Sequence, residues 1–172
     1  MKKHTLSIRK IALLSILSAI LIVQKIILGP IPFIQLVFFL IIFYTSKISF
    51  KSMFLVILIY VLVDGISTSS LNLTYTPYIF LGLILIPLTM NTIFKNIKSP
   101  LGLSLIGILH AFIYSWIFII PMTIIYEIDI LLYLYQDILY ELALALSTFL
   151  TTIILYQPLS NFWDLKLNDI KL

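Results

Sequence analysis

Ten of the eleven basic residues in this chain fall at alternate ends of its apolar segments, in the N-terminal tail, two short connections and the C-terminal tail. Lys2, Lys3, Arg9 and Lys10 precede the first segment, Lys47 and Lys51 separate the second from the third, Lys95 and Lys98 the fourth from the fifth, and Lys166 and Lys171 follow the sixth. Lys25 alone falls on the other side. Short connections rich in Lys and Arg stay on the cytoplasmic side of a membrane. The spacing therefore predicts an all-α integral membrane protein of six transmembrane helices with both termini cytoplasmic. The predicted spans are residues 6–28, 32–45, 48–64, 77–94, 101–120 and 137–156.

The composition agrees with this reading. Of 172 residues 62% are hydrophobic and only 10% charged, too little polar surface to coat a water-soluble globule. Six helices at roughly 20 residues each use about 120 residues, which leaves loops and tails and a single transmembrane domain. A net charge of +4 in a soluble chain raises the question of nucleic acid. Here the cations are spread along a cytoplasmic rim, where anionic lipid headgroups account for them. The absence of cysteine excludes disulfides, thiolate metal sites and a Cys nucleophile. The basic start and apolar first segment resemble a signal peptide, but about twenty apolar residues with no small-residue cleavage site are expected to stay as a helix.

Gly29-Pro30-Ile31-Pro32 ends the first helix, because proline cannot donate a backbone hydrogen bond. The second segment is short for a crossing, so it is expected to be extended at its ends, packed away from lipid, or met by a thinned bilayer. Pro87 is expected to kink the fourth helix unless neighbours satisfy the freed carbonyl. Two longer connections fall on the outer side: 66–76, rich in Ser, Thr and Asn, and 121–136, which carries Glu127 and Asp129 among Tyr126, Tyr133 and Tyr135. Asp64, Glu127, Asp129, Asp137 and Glu141 all map to the outer side, and only Asp164 and Asp169 to the inner.

Three constellations carry chemistry. In the first helix Ala12, Ser15 and Ala19 lie at i, i+3 and i+7, a small-residue stripe that lets another helix approach closely. The stripe serves either packing within this chain or contact with a partner subunit. At the start of the sixth helix Asp137, Tyr140 and Glu141 share one face near the outer surface. An ionisable group in the apolar layer costs several kcal/mol unless it faces water or a partner, which makes Glu141 the more informative acid. Asp137 is either part of a site or a helix N-cap. Lys25 either neutralises one of these acids or, with Gln24, reaches to the headgroups. Near the middle of the fifth helix stands His110, with Tyr114 one turn outward and Trp116 closer to the rim. His110 reads as an interhelical hydrogen-bonding residue or as a cavity residue. Trp116, Tyr126, Tyr133 and Tyr135 each fit an interfacial belt. Their coincidence with the outer acids favours a pocket that stacks a flat ring and hydrogen-bonds its edges.

No HExxH, GxSxG or Walker-type motif is present, and the five glycines are scattered, so no enzyme is expected, nor a metal or cofactor. An intramembrane enzyme built on His110 and Glu141 lacks a nucleophile or metal set. The sequon at Asn72 matters only in a eukaryotic secretory pathway.

The basic N-terminus, the first-helix run from Ile8 to Ala19, the connection from Leu28 to Gln35 and the six-helix length together resemble the substrate-binding S components of energy-coupling factor (ECF) vitamin transporters. The resemblance covers most of the chain and lies in its layout. It implies a multi-pass protein of the cell membrane, bacterial in type, that captures a vitamin or related heterocyclic micronutrient from outside. The partners it implies are a transmembrane scaffold subunit and two ATPase subunits, whose ATP hydrolysis drives a reorientation that carries the pocket inward. The family's AxxxA scaffold contact maps onto Ser15 and Ala19, with Ser in place of the first Ala, and Ala12 extends it. The family's outer-side binding region puts Gln35, Asp64, His110, Tyr114, Trp116, Tyr133, Asp137, Tyr140 and Glu141 forward as ligand-binding residues. The acidic, ring-rich outer face favours a neutral or cationic nitrogen heterocycle over an anionic vitamin. The alternative is a non-transporting six-helix membrane scaffold like the rod-shape-determining MreD-like proteins, against which the acids and tyrosines of 121–136 speak.

Overall fold

The computed structural model describes residues 8–31, 34–67 and 74–166. All regular structure among them is helical: α1 (Ile8–Leu28), α2 (Val37–Thr45), α3 (Phe50–Ser67), α4 (Thr76–Thr92), α5 (Pro100–Ile117), α6 (Ile119–Ile124) and α7 (Ile130–Lys166). Only Phe118 separates α5 from α6, so the described residues form six helical stretches. Four of them, Ile8–Leu28, Phe50–Ser67, Pro100–Ile124 and Ile130–Lys166, are long and apolar enough to cross a membrane, and Thr76–Thr92 is a shorter apolar helix.

The second stretch is shorter than expected. The sequence reading places it at 32–45, but α2 begins at Val37, and 32–33 lie outside the described residues. Its nine residues are roughly 14 Å long, under half of the ~30 Å hydrocarbon layer. Every one of them is buried. A helix that is apolar all round must be covered on all sides, and α2 contacts α1, α3, α4, α5 and α7. Its burial agrees with one of the three expectations for this segment, packing against the other helices.

Polar side chains tie down the chain entering α2. The Leu36 N–H donates to Gln24 Oε1 at 3.2 Å, and Gln24 Nε2 donates to the Leu21 carbonyl at 2.9 Å. Ser147 Oγ accepts from the Gln35 N–H at 3.1 Å and lies 3.2 Å from the Gln35 carbonyl. Gln24 is therefore an internal strut between α1 and α2, not a residue reaching to headgroups.

The last helix also differs from expectation. Predicted over 137–156, it runs from Ile130 to Lys166, 37 residues and roughly 55 Å. Its N-terminal cap is Asp129, whose Oδ1 accepts from the N–H groups of Leu131 at 2.9 Å and Leu132 at 3.1 Å. Asp137 lies two turns inside and is not the cap. Likewise, 121–136 is no open connection: α6 and the first two turns of α7 occupy most of it. The turn between them passes through Glu127, whose φ of 54° is left-handed.

Helices α5 and α7 pack most extensively. Their buried residues include the small Ser104, Gly107, Ala111 and Ser115 of α5 and Ala145, Ser147, Thr148 and Thr152 of α7, which permit close approach. A Cβ on Gly107 would come within 2.6 Å of Thr148 Cγ2 and 3.2 Å of Ile42 Cδ1. The stripe on α1 behaves in the opposite way. Ala12, Ser15 and Ala19 are all exposed, and α1 packs through Leu13, Leu14, Leu17, Ser18 and Leu21 instead.

Gly107→Leu should lower stability by roughly 1–3 kcal/mol through overpacking, read as a loss of thermal stability in detergent. Ala12→Leu should leave it unchanged. Equal stability of both variants would contradict the packing assigned to α5 and α7.

Candidate functional site

The two ends of the bundle differ in chemistry. At one end Lys47 of the α2–α3 turn donates to Ser160 Oγ and Asp164 Oδ1 of α7, both at 2.8 Å, and Lys95 and Lys98 of the α4–α5 connection share a cavity with Lys47. At the other, Lys25 at the C-terminal end of α1 bonds Asp64 at the end of α3, 2.6 Å apart. Lys25 thus neutralises an acid, but the acid is Asp64 rather than Asp137 or Glu141.

Of the cavities at this second end, two meet at Tyr114 and Tyr140, which line both. The smaller, about 90 Å³, lies between Lys25, Gln35, Tyr60 and Asp64. The larger, about 270 Å³, is bounded by Tyr75, Ser115, Phe118, Met122, Tyr133 and Asp137. Tyr114 and Tyr140 therefore form a shared wall between a compartment holding the Lys25–Asp64 pair and an aromatic one holding Asp137.

The wall is positioned by packing. Tyr114 lies edge-on to Phe38 of α2, ring centroids 5.2 Å apart at 90°, and against Phe118 at 5.3 Å. A Cβ on Gly82 of α4 would fall 2.5 Å from Tyr114 Cδ2, so the bare glycine makes the space this ring occupies. Tyr140 Oη accepts from Gln35 Nε2 at 3.4 Å, so the residue held by Ser147 at the entrance to α2 also touches the wall.

In the larger compartment Asp137 Oδ2 accepts from Ser115 Oγ and, at 3.2 Å, from the Tyr133 hydroxyl, which also lies 3.1 Å from the Ser115 carbonyl. Tyr75 stacks on Tyr126 with centroids 5.7 Å apart and planes 10° from parallel, supplying flat surface beside the opening.

One turn beyond Asp137, Glu141 is 2% exposed, with Ser115 and Trp116 as its polar neighbours. Its Oε1 has no hydrogen-bond partner among the described residues. A buried polar atom without a partner costs about 1–3 kcal/mol. Glu141 lines neither cavity but backs onto the Asp137 compartment through Ser115, which both acids approach.

Six of the nine residues put forward from the sequence, Gln35, Asp64, Tyr114, Tyr133, Asp137 and Tyr140, line these two cavities. His110 does not. It is buried between α4 and α5, its Nδ1–H donating to the Ile106 carbonyl at 2.8 Å and its Nε2 2.8 Å from Thr89 Oγ1. The geometry is that of an interhelical hydrogen bond. Trp116 is half-exposed, packs on Phe112 and lines neither cavity. Lining residues not put forward include Tyr60, Tyr75, Ser115, Phe118 and Met122, of which Tyr60 stands one turn before Asp64 on the same face of α3. Residues 68–73 of the polar connection, with the sequon at Asn72, lie outside the described residues. No group of three or more His, Cys, Asp or Glu suited to a metal ion occurs among the described residues.

No protein family, curated protein or solved structure matches this chain.

A double-mutant cycle on Lys25→Ala and Asp64→Ala should give a coupling of about 0.5–1 kcal/mol, the value of a partly exposed ion pair. Coupling indistinguishable from zero would remove this pair as a fixed part of the compartment.

Proposed function

We propose that this protein is the substrate-binding subunit of an ECF-type importer in the cell membrane. It captures a vitamin or related nitrogen heterocycle at its acidic, aromatic end and delivers it inward with a transmembrane scaffold and two ATPase subunits. The observation that carries the reading is the pair of cavities sharing Tyr114 and Tyr140. They combine stacking surface, hydroxyl donors and carboxylates at the end of the bundle opposite its lysine-bearing loops. Ligand sites are concave, mostly apolar and furnished with a few convergent polar groups, and this end has that character. Under the positive-inside rule the lysine-bearing end is cytoplasmic and the cavities face outward.

A second observation supports the partner. Small residues exposed on a membrane helix leave a surface that another helix can approach closely, and Ala12, Ser15 and Ala19 are not covered by the chain's own helices. In the proposed role this face of α1 meets the scaffold subunit. The six-helix scaffold alternative has no use for the cavities.

Ligand chemistry follows from the polar groups. Asp64 is matched by Lys25, whereas Asp137 receives, among the described residues, neutral hydroxyls. A neutral or cationic ring that donates hydrogen bonds complements this acceptor-rich compartment.

Thermal unfolding of the purified protein against a panel of vitamins and their precursors should show stabilisation by one compound, whereas no shift with any would favour a scaffold. Asp137→Asn should weaken that compound roughly tenfold, the equivalent of about 1.4 kcal/mol. Normal affinity would return Asp137 to a structural role. Ser15→Leu and Ala19→Leu should abolish co-purification of the partner subunits while ligand stabilisation persists. Unchanged partner capture would remove α1 as the contact.

A further inference from the structure

The largest of the described cavities lies at the other end. It measures about 440 Å³ and is built from the α2–α3 turn, the end of α4, the α4–α5 connection and the second half of α7. Three of its lining residues are Lys47, Lys95 and Lys98. The Lys47 side chain is 13% exposed and pairs with Asp164. Lys95 and Lys98 are exposed and enter no ion pair with any described residue. The cavity therefore carries an excess of positive charge.

Two features turn this excess into a site. Tyr156 lines the cavity while 8% exposed, and its ring is fixed edge-on against Phe43 with centroids 5.9 Å apart. Its hydroxyl bonds to none of the described residues and is not sealed from solvent, so it is open to an acceptor that enters the cavity. Lys98 directly precedes Ser99, the N-cap of the 18-residue α5, so the positive end of that helix dipole lies beside the lysines. The opposing negative ends are muted. Carbonyls of the last turn of α2 accept from the Ser46 and Lys47 N–H groups, and the Thr89 carbonyl of α4 accepts from Ile93 and Phe94.

We propose that this cavity binds a phosphate group, held by Lys95, Lys98 and the Tyr156 hydroxyl with Lys47 behind them. The phosphate is carried by an anionic lipid headgroup or by a soluble phosphate. The volume exceeds what one phosphate fills, and the exposed Ile97 among its lining residues offers apolar surface on which an acyl chain can lie. Basic residues at this depth attract anionic headgroups. The site stands independently of the transport role.

The test uses the whole protein in nanodiscs of phosphatidylcholine, with and without phosphatidylglycerol, and in phosphatidylcholine with added inorganic phosphate. Thermal stability and retained lipid, counted by native mass spectrometry, are the readouts. Stabilisation and retention with phosphatidylglycerol identify a lipid source, and equal stabilisation by inorganic phosphate a soluble one. Lys95→Gln with Lys98→Gln should weaken binding roughly thirtyfold, while Lys51→Gln, an exposed lysine outside the cavity, should not. Tyr156→Phe, which leaves the ring packing in place, should weaken it too and serves where the double variant fails to fold. The proposal is overturned if neither anion acts. It also fails if Lys51→Gln loses as much as the double variant, or if Tyr156→Phe binds normally.

Discussion

The burial of α2 is the constraint on which the rest of the structure depends. A nine-residue helix with no polar face cannot cross a bilayer and cannot face water, so other helices must enclose it. Its neighbours are correspondingly shaped: Gly107 lets α5 and α7 close over Ile42, and α3 and α4 cover its other sides. The backbone entering it needs partners that neither water nor lipid can supply there, and Gln24 and Ser147 provide them. Those same bonds fix Gln35, whose amide touches Tyr140. Phe38, in the first turn of α2, supports Tyr114. The enclosure of α2 thus positions both tyrosines that the two cavities share.

Charge is divided along the axis of the bundle. The lysines of two connections gather against the second half of α7, while Asp64, Asp137 and Glu141 stand at or near the other end. In a membrane the first arrangement suits anionic headgroups, and the second suits a ligand that donates hydrogen bonds or carries positive charge. One long helix joins the two ends: α7 supplies Asp137, Tyr140 and Glu141 to one and Tyr156 and Ser160 to the other.

Much of this was legible in the sequence because it rests on composition and charge at fixed positions. The alternation of Lys and Arg brought Lys47, Lys95 and Lys98 to one side, and the helical spacing of Asp137, Tyr140 and Glu141 put them on one face. What was not legible depends on tertiary competition. The apolar run of α2 reads the same whether lipid or protein covers it. Asp129 and Asp137 are both suitable N-caps, and only the fold of α6 decides between them. The sixth span is predicted to end at 156, yet α7 continues through Pro158 to Lys166. His110 and Trp116 sit on the right helix but on faces turned away from the cavities. Tyr60 and Tyr75 enter the site through contacts between helices distant in sequence.

In the proposed role the two chemically opposed ends face opposite sides of the membrane, the acidic aromatic end outward. The chain has no cysteine, so a single introduced thiol reports one position without background. Tyr135 is 80% exposed near the aromatic end and Lys51 is exposed near the lysine-bearing end. Labelling of intact cells with a membrane-impermeant maleimide is the direct measurement. Tyr135→Cys should react in intact cells, and Lys51→Cys only after permeabilisation. The reverse pattern, or equal labelling of both in intact cells, would contradict the orientation.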